Sequence, residues 1–398
     1  MLKAVIPSPA ELVGRARELA PTIGARALEC ERLGRLPDAS HHAFRDAGFY
    51  RILQPKAHGG FEHDMYTLLE VTREIGRSGC ASSAWVLAIL AIHNFYLGYF
   101  PPAAQADIWG EDQDAQTCTP FVPSGTTRKV DGGIEIEGGR WPFASGCDHA
   151  AYALLGVLVD HGDGGPPEYF QCAVPRRDYA IDHASWDVTA LKGTGSKDIT
   201  VERCFVPTHR MFSLTRVAQG YAPGRELNTA PLYRQPFFAA SVCSLIAPAW
   251  GAALCALETF EERLKSRMMV FGSGRQADKG AAQLRLVEAA SEIDCAGLLL
   301  KRNCDAFGEV ALANQQPSKT LGARALFEGA YATTLLSRAV ERIFVASGGS
   351  ALHETNAIQR CWRDVHAVNS HAGMNFDNMG ELYGQVRLGL PVEHGLLG

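Results

Sequence analysis

An indole, a hydroxyl and an imidazole come together in Trp141-Pro-Phe-Ala-Ser145-Gly-Cys-Asp148-His149, which lies between two strand-like runs, Gly133–Glu137 and Ala151–Leu158. Proline and glycine this close to strands mark a shaped loop rather than a ladder position. Such a loop can lay an indole beside a planar ligand and hold one serine hydroxyl at a fixed point near it. The plainer reading is a barrel corner with Trp141 as core filler, and the residues alone favour it. Two further stretches add polar groups: Gly193-Thr-Gly195-Ser196-Lys197-Asp198 and Trp362-Arg363-Asp364-Val-His366-Ala-Val-Asn-Ser-His371. Imidazoles such as those of His366 and His371 can act as general bases near neutral pH.

The segments that must position these groups fall into three blocks. Ser8-Pro9-Ala10-Glu11 reads as a capping box with proline in the first turn, and Leu12, Ala16, Leu19 and Ile23 keep helical spacing behind it. Asp38–Arg51, ending near Gly48, and Tyr66–Gly76 read as further helices. Ser82–Phe100 is apolar almost all round, so it belongs deep in its domain, with His93 at its far end. A lone histidine in that position is more often a satisfied core residue than a ligand.

From Thr117 the pattern changes to short β-rich runs, Lys129–Glu137, Ala151–Asp160, Tyr169–Val174 and Ile199–Val206, separated by turn residues. Beyond Ala222-Pro-Gly, four segments keep helical spacing: Ala239–Arg267, Lys279–Ala313, Lys319–Ala346 and Asn356–Ala372. Short connections between them predict an antiparallel bundle. The Gly-rich, polar link Phe271–Gly280 reads as mobile or ligand-facing. The expected fold class is therefore α+β, with an N-terminal helical domain (1–115), a central antiparallel β-barrel (116–225) and a C-terminal four-helix bundle (226–398).

With 398 residues, 46% of them apolar and 20% charged, the chain can bury a sizeable core. A net charge of −5 and the lack of any basic cluster argue against a nucleic-acid partner. The apolar run Ala84–Ile92 is too short to cross a bilayer, and Met-Leu-Lys-Ala-Val-Ile-Pro has no signal-peptide pattern. The chain has 11 cysteines, without any Cys-x-x-Cys pair. That predicts free thiols in a reducing cytoplasm, with no disulfide framework and no metal site.

The Trp-x-Phe-x-Ser-Gly loop, the Gly-Ser-Lys-Asp-Ile run leading to Phe205-Val-Pro207, and the Arg-Asp stretch ending at His371 resemble the acyl-CoA dehydrogenase superfamily along the whole chain. Within it, the resemblance is to the flavin-dependent monooxygenase branch, which includes the oxygenase components of para-hydroxyphenylacetate hydroxylase and of phenolic steroid-ring hydroxylases, and dibenzothiophene monooxygenase. True dehydrogenases need a carboxylate base, commonly a Glu following the Arg-Asp of the last bundle helix. Here that region reads His366-Ala-Val-Asn-Ser-His371-Ala-Gly, with no carboxylate until Asp377. Glu258 and Glu261, on an earlier bundle helix, are the remaining alternatives.

The resemblance implies a two-component monooxygenase that uses reduced FAD or FMN and O2, through a C4a-hydroperoxyflavin, to hydroxylate a small aromatic or heteroaromatic substrate. Ser145 then stands by flavin N5, and His93 and His371 face the substrate. Trp141 flanks the isoalloxazine, and Ser196 and Lys197 meet ribityl or phosphate groups. Ser347, Gly348 and Gly349 meet the flavin tail from a neighbouring subunit of a homotetramer, with Arg267 or Arg263 on a phosphate. His149 and His366 are less favoured and can serve as local caps. Gly193-Thr-Gly195 lacks the third glycine and the strand–helix context of a dinucleotide fingerprint, so reduced flavin is expected from a separate reductase. The competing readings are an acyl-CoA dehydrogenase or oxidase with a displaced base, and a non-catalytic flavin-binding protein.

Overall fold

The computed structural model describes residues 6–217, 220–269 and 273–392. Six helices come first: α1 (Pro9–Ala25), α2 (Ala27–Leu33), α3 (Asp38–Asp46), α4 (Met65–Gly76), α5 (Ala81–Leu97) and α6 (Pro102–Trp109). The Ser8–Glu11 capping box that starts α1 is formed in full. The segment expected as one helix over Asp38–Arg51 stops at Asp46, because Gly48 turns left-handed (φ +80°) and a short 3-10 turn replaces the last part. In α5 every residue but Ile89 is buried, which agrees with its unbroken apolar pattern.

Ten strands follow: β1 (Gln116–Cys118), β2 (Thr126–Val130), β3 (Gly133–Glu137), β4 (Arg140–Ala144), β5 (Ala150–Val159), β6 (Glu168–Pro175), β7 (Ala180–Asp182), β8 (Lys197–Thr200), β9 (Arg203–Pro207) and β10 (Met211–Ser213). They form three sheets, ordered β1-β5-β6-β10, β2-β3-β9 and β4-β8-β7. The expected antiparallel barrel is corrected in two respects. Among the described residues no single sheet closes on itself, and β1 pairs with β5 in parallel. A parallel pair needs a long crossover, and the hairpin β2–β3 together with β4 supplies it.

The C-terminal block holds five helices rather than four: α7 (Phe237–Ser266), α8 (Gly280–Leu312), α9 (Lys319–Ser347), α10 (Ala357–Asn369) and α11 (Phe376–Arg387). The last expected segment ends at Asn369, and His371 caps a separate turn over Ala372–Met374 before α11 begins. By length and composition α7 could cross a bilayer, but its most apolar window is largely buried inside the protein. Phe271 and Gly272, at the start of the link expected to be mobile or ligand-facing, lie outside the described residues.

Two cores organise the molecule. One joins the helices at both ends of the chain, and the other fills the strand region around Trp141. The helical blocks meet where glycine lets backbones touch: a Cβ on Gly251 of α7 would lie 2.2 Å from the carbonyl oxygen of Arg73 in α4. All the cysteines are free, and all but Cys255 and Cys295 are buried.

Candidate functional site

The Ser145 loop rests on α5. Gly146 adopts φ +73°, and a Cβ there would meet the Leu90 side chain at 3.0 Å, so only glycine allows this approach. Strand β4 bulges between Trp141 and Ala144. A bulge re-aims side chains, and here it separates the two aromatics. Trp141 turns inward, fully buried, and donates its indole N–H to the Gly156 carbonyl at 2.7 Å. Its expected place beside a flavin is therefore corrected: it has no surface to offer a ligand. Phe143 turns outward instead, 67% exposed and with φ +62°, edge-on to Trp186. Trp186 lines a polar cleft of about 430 Å³ together with Gly34, Arg35, Asp148, His183 and Lys192. Left-handed φ on a phenylalanine costs energy, which the surrounding structure must offset.

Ser145 heads a chain of hydroxyls. Trp85 of α5 donates its indole N–H to Ser145 Oγ at 3.2 Å. Ser145 Oγ lies 2.7 Å from Ser196 Oγ, which lies 2.8 Å from Thr194 Oγ1. Thr194 Oγ1 in turn donates to the Leu191 carbonyl at 2.9 Å. The Leu191–Gly195 turn that carries this chain is clamped from several sides. Asp364 of α10 accepts the Leu191 N–H at 2.7 Å, Ser82 of α5 accepts the Gly193 N–H, and Gly146 donates to the Thr194 carbonyl.

The Arg-Asp stretch is thus an anchor for the serine turn. Burial raises the Asp364 pKa to about 6. Arg363 binds Glu31 at 2.8 Å and the Thr189 carbonyl. Lys197 is also spent: its ammonium sits 2.7 Å and 2.8 Å from the two oxygens of Asp148, both side chains being buried. Its expected side-chain contact with a cofactor is corrected accordingly, since that charge is already neutralised.

The two favoured histidines are neutral and of opposite polarity. His93 is buried, with Nδ1 2.6 Å from the Thr117 carbonyl. A carbonyl only accepts, so Nδ1 carries the proton and Nε2 presents a lone pair. Burial lowers the His93 pKa to about 4. Beside it, Thr117 Oγ1 and Thr119 Oγ1 are buried without a hydrogen-bond partner in the protein. Each such group costs about 1–3 kcal/mol, which favours a ligand or ordered water that completes it.

His371 accepts the Gly373 N–H at Nδ1 (3.1 Å), which leaves the proton on Nε2. Its ring centre is 5.6 Å from that of Trp85. His371 is exposed, and desolvation by the surrounding protein lowers its pKa. His93 sits eight residues beyond Trp85 on α5, about 12 Å along the helix. His149 stacks on His41 and bonds the Leu36 carbonyl, and His366 bonds the Trp362 carbonyl. Both are occupied locally.

The remaining expected residues gather elsewhere, at the C-terminal ends of α7 and α9. Arg263 donates to the Ser347 carbonyl and to Ser350 Oγ, and Arg267 reaches the same two atoms at 3.3 Å and 3.4 Å. Gly348 (φ +64°) and Gly349 shape the turn between them. Arg263 Nε is buried without a partner, and desolvation and the Arg267 charge lower the Arg263 pKa. Among the described residues no carboxylate pairs with either guanidinium. Two arginines and a serine hydroxyl on a glycine turn fit a phosphate. Among the described residues no hydrogen bond joins this cluster to Ser145.

The alternative bases are both engaged in ion pairs. Glu258 pairs with Arg77 at 2.5 Å and Glu261 with Lys265 at 2.9 Å, both in exposed positions. Sequence reasoning assigned no role to Trp85, Phe143, Trp186 or Thr194, whereas Ser350 closed the Ser347-Gly-Gly-Ser350 segment it had marked. Among the unassigned residues only Phe143 carried a local signal, its place after proline in the shaped loop. The others became visible once distant segments met.

Residues 243–376 match the family model described as "Acyl-CoA dehydrogenase, C-terminal domain". The flavin-dependent monooxygenase oxygenase subunit HsaA of Rhodococcus jostii (strain RHA1) is 37% identical over 95% of this chain and 98% of its own. The oxygenase component of the FADH(2)-dependent resorcinol hydroxylase of Rhizobium sp. (strain MTP-10005) is 32% identical over 96% and 97%. The crystal structure of 3-HSA hydroxylase from Rhodococcus sp. RHA1 superposes with a TM-score of 0.91 at 36% identity, covering 97% of this chain and 99% of that one. On these similarities the chain belongs to the oxygenase subunits of the flavin-dependent monooxygenases, built on the acyl-CoA dehydrogenase fold.

Proposed function

We propose that this protein is the oxygenase component of a two-component system that hydroxylates a small phenolic or heteroaromatic compound, with reduced flavin supplied by a separate reductase. The observation that carries this reading is that Ser145, His93 and His371 are uncharged, while the carboxylates brought by the same elements, Asp148 and Asp364, are spent on Lys197 and the Leu191 N–H. Neither of these two carboxylates is left free for proton abstraction next to a thioester. Bound reduced flavin supplies the activation of dioxygen, one atom of which goes to the substrate.

The chain's own residues then divide the work. His93 Nε2 accepts the substrate O–H or N–H proton, which makes the ring more nucleophilic. His371 Nε2–H donates a hydrogen bond to the substrate. Ser145 Oγ stands at flavin N5, and Arg263, Arg267 and Ser350 hold a flavin phosphate. Phe143 and Trp186 take the stacking role first assigned to Trp141.

The arginine cluster shares no hydrogen bond with the Ser145 chain among the described residues, and the flavin tail is served by a neighbouring copy, as in a homotetramer. Exposed Leu284, Val287 and Leu298 lie at helical spacing along α8 and support such an interface. The domain division is 1–115, 116–225 and 226–398, and the free thiols favour a cytoplasmic location. The test is to supply chemically reduced FAD or FMN in air with a panel of phenols. Product that appears in step with flavin oxidation supports the reading; peroxide alone with every phenol, or flavin bleaching by an acyl-CoA thioester, overturns it.

A further inference from the structure

The hydroxyl chain at Ser145 has fixed ends. Trp85 Nε1 can only donate, and the Leu191 carbonyl can only accept. Each hydroxyl between them carries one proton. Thr194 spends its proton on Leu191, so at 2.8 Å it must accept from Ser196. Ser196, having spent its own, accepts at 2.7 Å from Ser145. Ser145 therefore donates inward, accepts the indole N–H, and keeps one lone pair free. Reversing the order would set Thr194 Oγ1 against the Leu191 oxygen at 2.9 Å with no hydrogen between them.

We propose that Thr194 and Ser196 are positioning residues that fix the polarity of Ser145, making it an obligate acceptor toward the ligand. This rests on the reading above that places Ser145 at flavin N5. Reduced flavin carries a hydrogen on N5 and satisfies such an acceptor. Oxidised flavin presents a bare nitrogen there, so two lone pairs would face each other. The chain's polarity thus favours the reduced cofactor. The Ser82 and Asp364 bonds to Gly193 and Leu191 keep the turn in the register the chain requires.

The test compares Kd for oxidised and for reduced FAD, measured anaerobically by fluorescence or absorbance titration. Thr194→Val keeps the shape of the side chain and removes only the hydroxyl; Ser196→Ala cuts the chain next to Ser145. In both, Ser145 is free to turn its proton toward the ligand, and the oxidised-to-reduced Kd ratio should fall about three- to tenfold, one hydrogen bond's worth. Thr194→Ser should restore the ratio, which a purely structural role for the Thr194 methyl would not. If Ser145→Ala changes the ratio while Thr194→Val and Ser196→Ala leave it alone, the polarity inference is overturned and Ser145 stays at N5. If none of the three changes it, Ser145 does not face N5 and both readings fall. Should Ser196→Ala fail to fold, the Thr194→Val and Thr194→Ser pair decides alone.

Discussion

The Ser145 turn and the arginine turn at Ser350 are both glycine-shaped, yet they are prepared in opposite ways. Around Ser145 the hydroxyls hydrogen-bond one another in a chain, and the Lys197 charge is cancelled by Asp148. At Ser350 two guanidinium groups lie together with no acid among the described residues to answer them, and Arg263 Nε has no partner among those residues. The first region holds one lone pair and two imidazoles in fixed directions. The second stores unbalanced positive charge. A site that must direct a reaction benefits from preorganised neutral dipoles, whereas one that must hold an anion benefits from charge left unspent.

The largest expected effect separates chemistry from binding. His93→Ala should lower single-turnover hydroxylation by about 10²–10⁴-fold, with reduced-flavin affinity unchanged. Rapid-quench product analysis beside a flavin titration would show the split. An unchanged hydroxylation rate would make His93 a core residue after all. Arg263→Gln should do the reverse, weakening reduced flavin by about 10- to 100-fold, as expected for a charged hydrogen bond. Product per bound flavin should hold. Equal affinity in that variant would remove the phosphate from the α7–α9 turn.

Ser145→Ala should release more hydrogen peroxide per flavin oxidised, by a factor set by one hydrogen bond of about 1–3 kcal/mol if buried and unreplaced. A peroxide assay run with product analysis measures it, and unchanged coupling counts against Ser145 at N5.

The pH profile is a finer probe. The base is active when deprotonated, and burial lowers its pKa to about 4. At pH 5.5 His93 should still be mostly neutral, against about a tenth for an imidazole at the ordinary value near 6.5. The acid limb of hydroxylation should therefore lie near pH 4, and an inflection near 6.5 would show that a more ordinary imidazole is the base.

The smallest effect concerns stability. Asp364 has a folded-state pKa raised to about 6, so its folded form keeps a proton that the unfolded chain releases above its ordinary value near 3.8. This term favours folding at low pH, weakens as pH rises through that window and levels off above about 6. Asp364→Asn keeps an acceptor for Leu191 and removes the titration. Its Tm relative to wild type should be higher at pH 8 than at pH 5, by about a few degrees at most. A pH-independent difference would mean that the carboxylate stays ionised throughout.

Periodicity and capping carried the helical blocks because each signal is local. The Ser8–Glu11 box, the apolar Ser82–Phe100 run and the four bundle segments all name elements that form, with ends shifted by a few residues. The fifth bundle helix, α11, escaped because the turn at Ala372–Met374 breaks the helical spacing just before it. The parallel β1–β5 pairing was invisible for another reason: strand partners are chosen across many residues, and no local pattern records the choice.

The site divides along the same line. Ser145, His93, His371 and the Ser347–Gly349 turn were singled out by the family resemblance of the motifs that carry them, since the residue types alone favoured plainer roles. Which way each group faces was decided only by tertiary contacts. One bulge in β4 sends Trp141 into the core and Phe143 outward. The partner of Lys197 lies 49 residues earlier, and that pairing turns an apparent ligand into a structural ion pair. The polarity of Ser145 depends on Trp85 and Leu191, which reach it from α5 and from the turn before β8. A hydrogen bond's direction is a property of the whole chain of donors and acceptors, and that chain exists only once the segments have folded together.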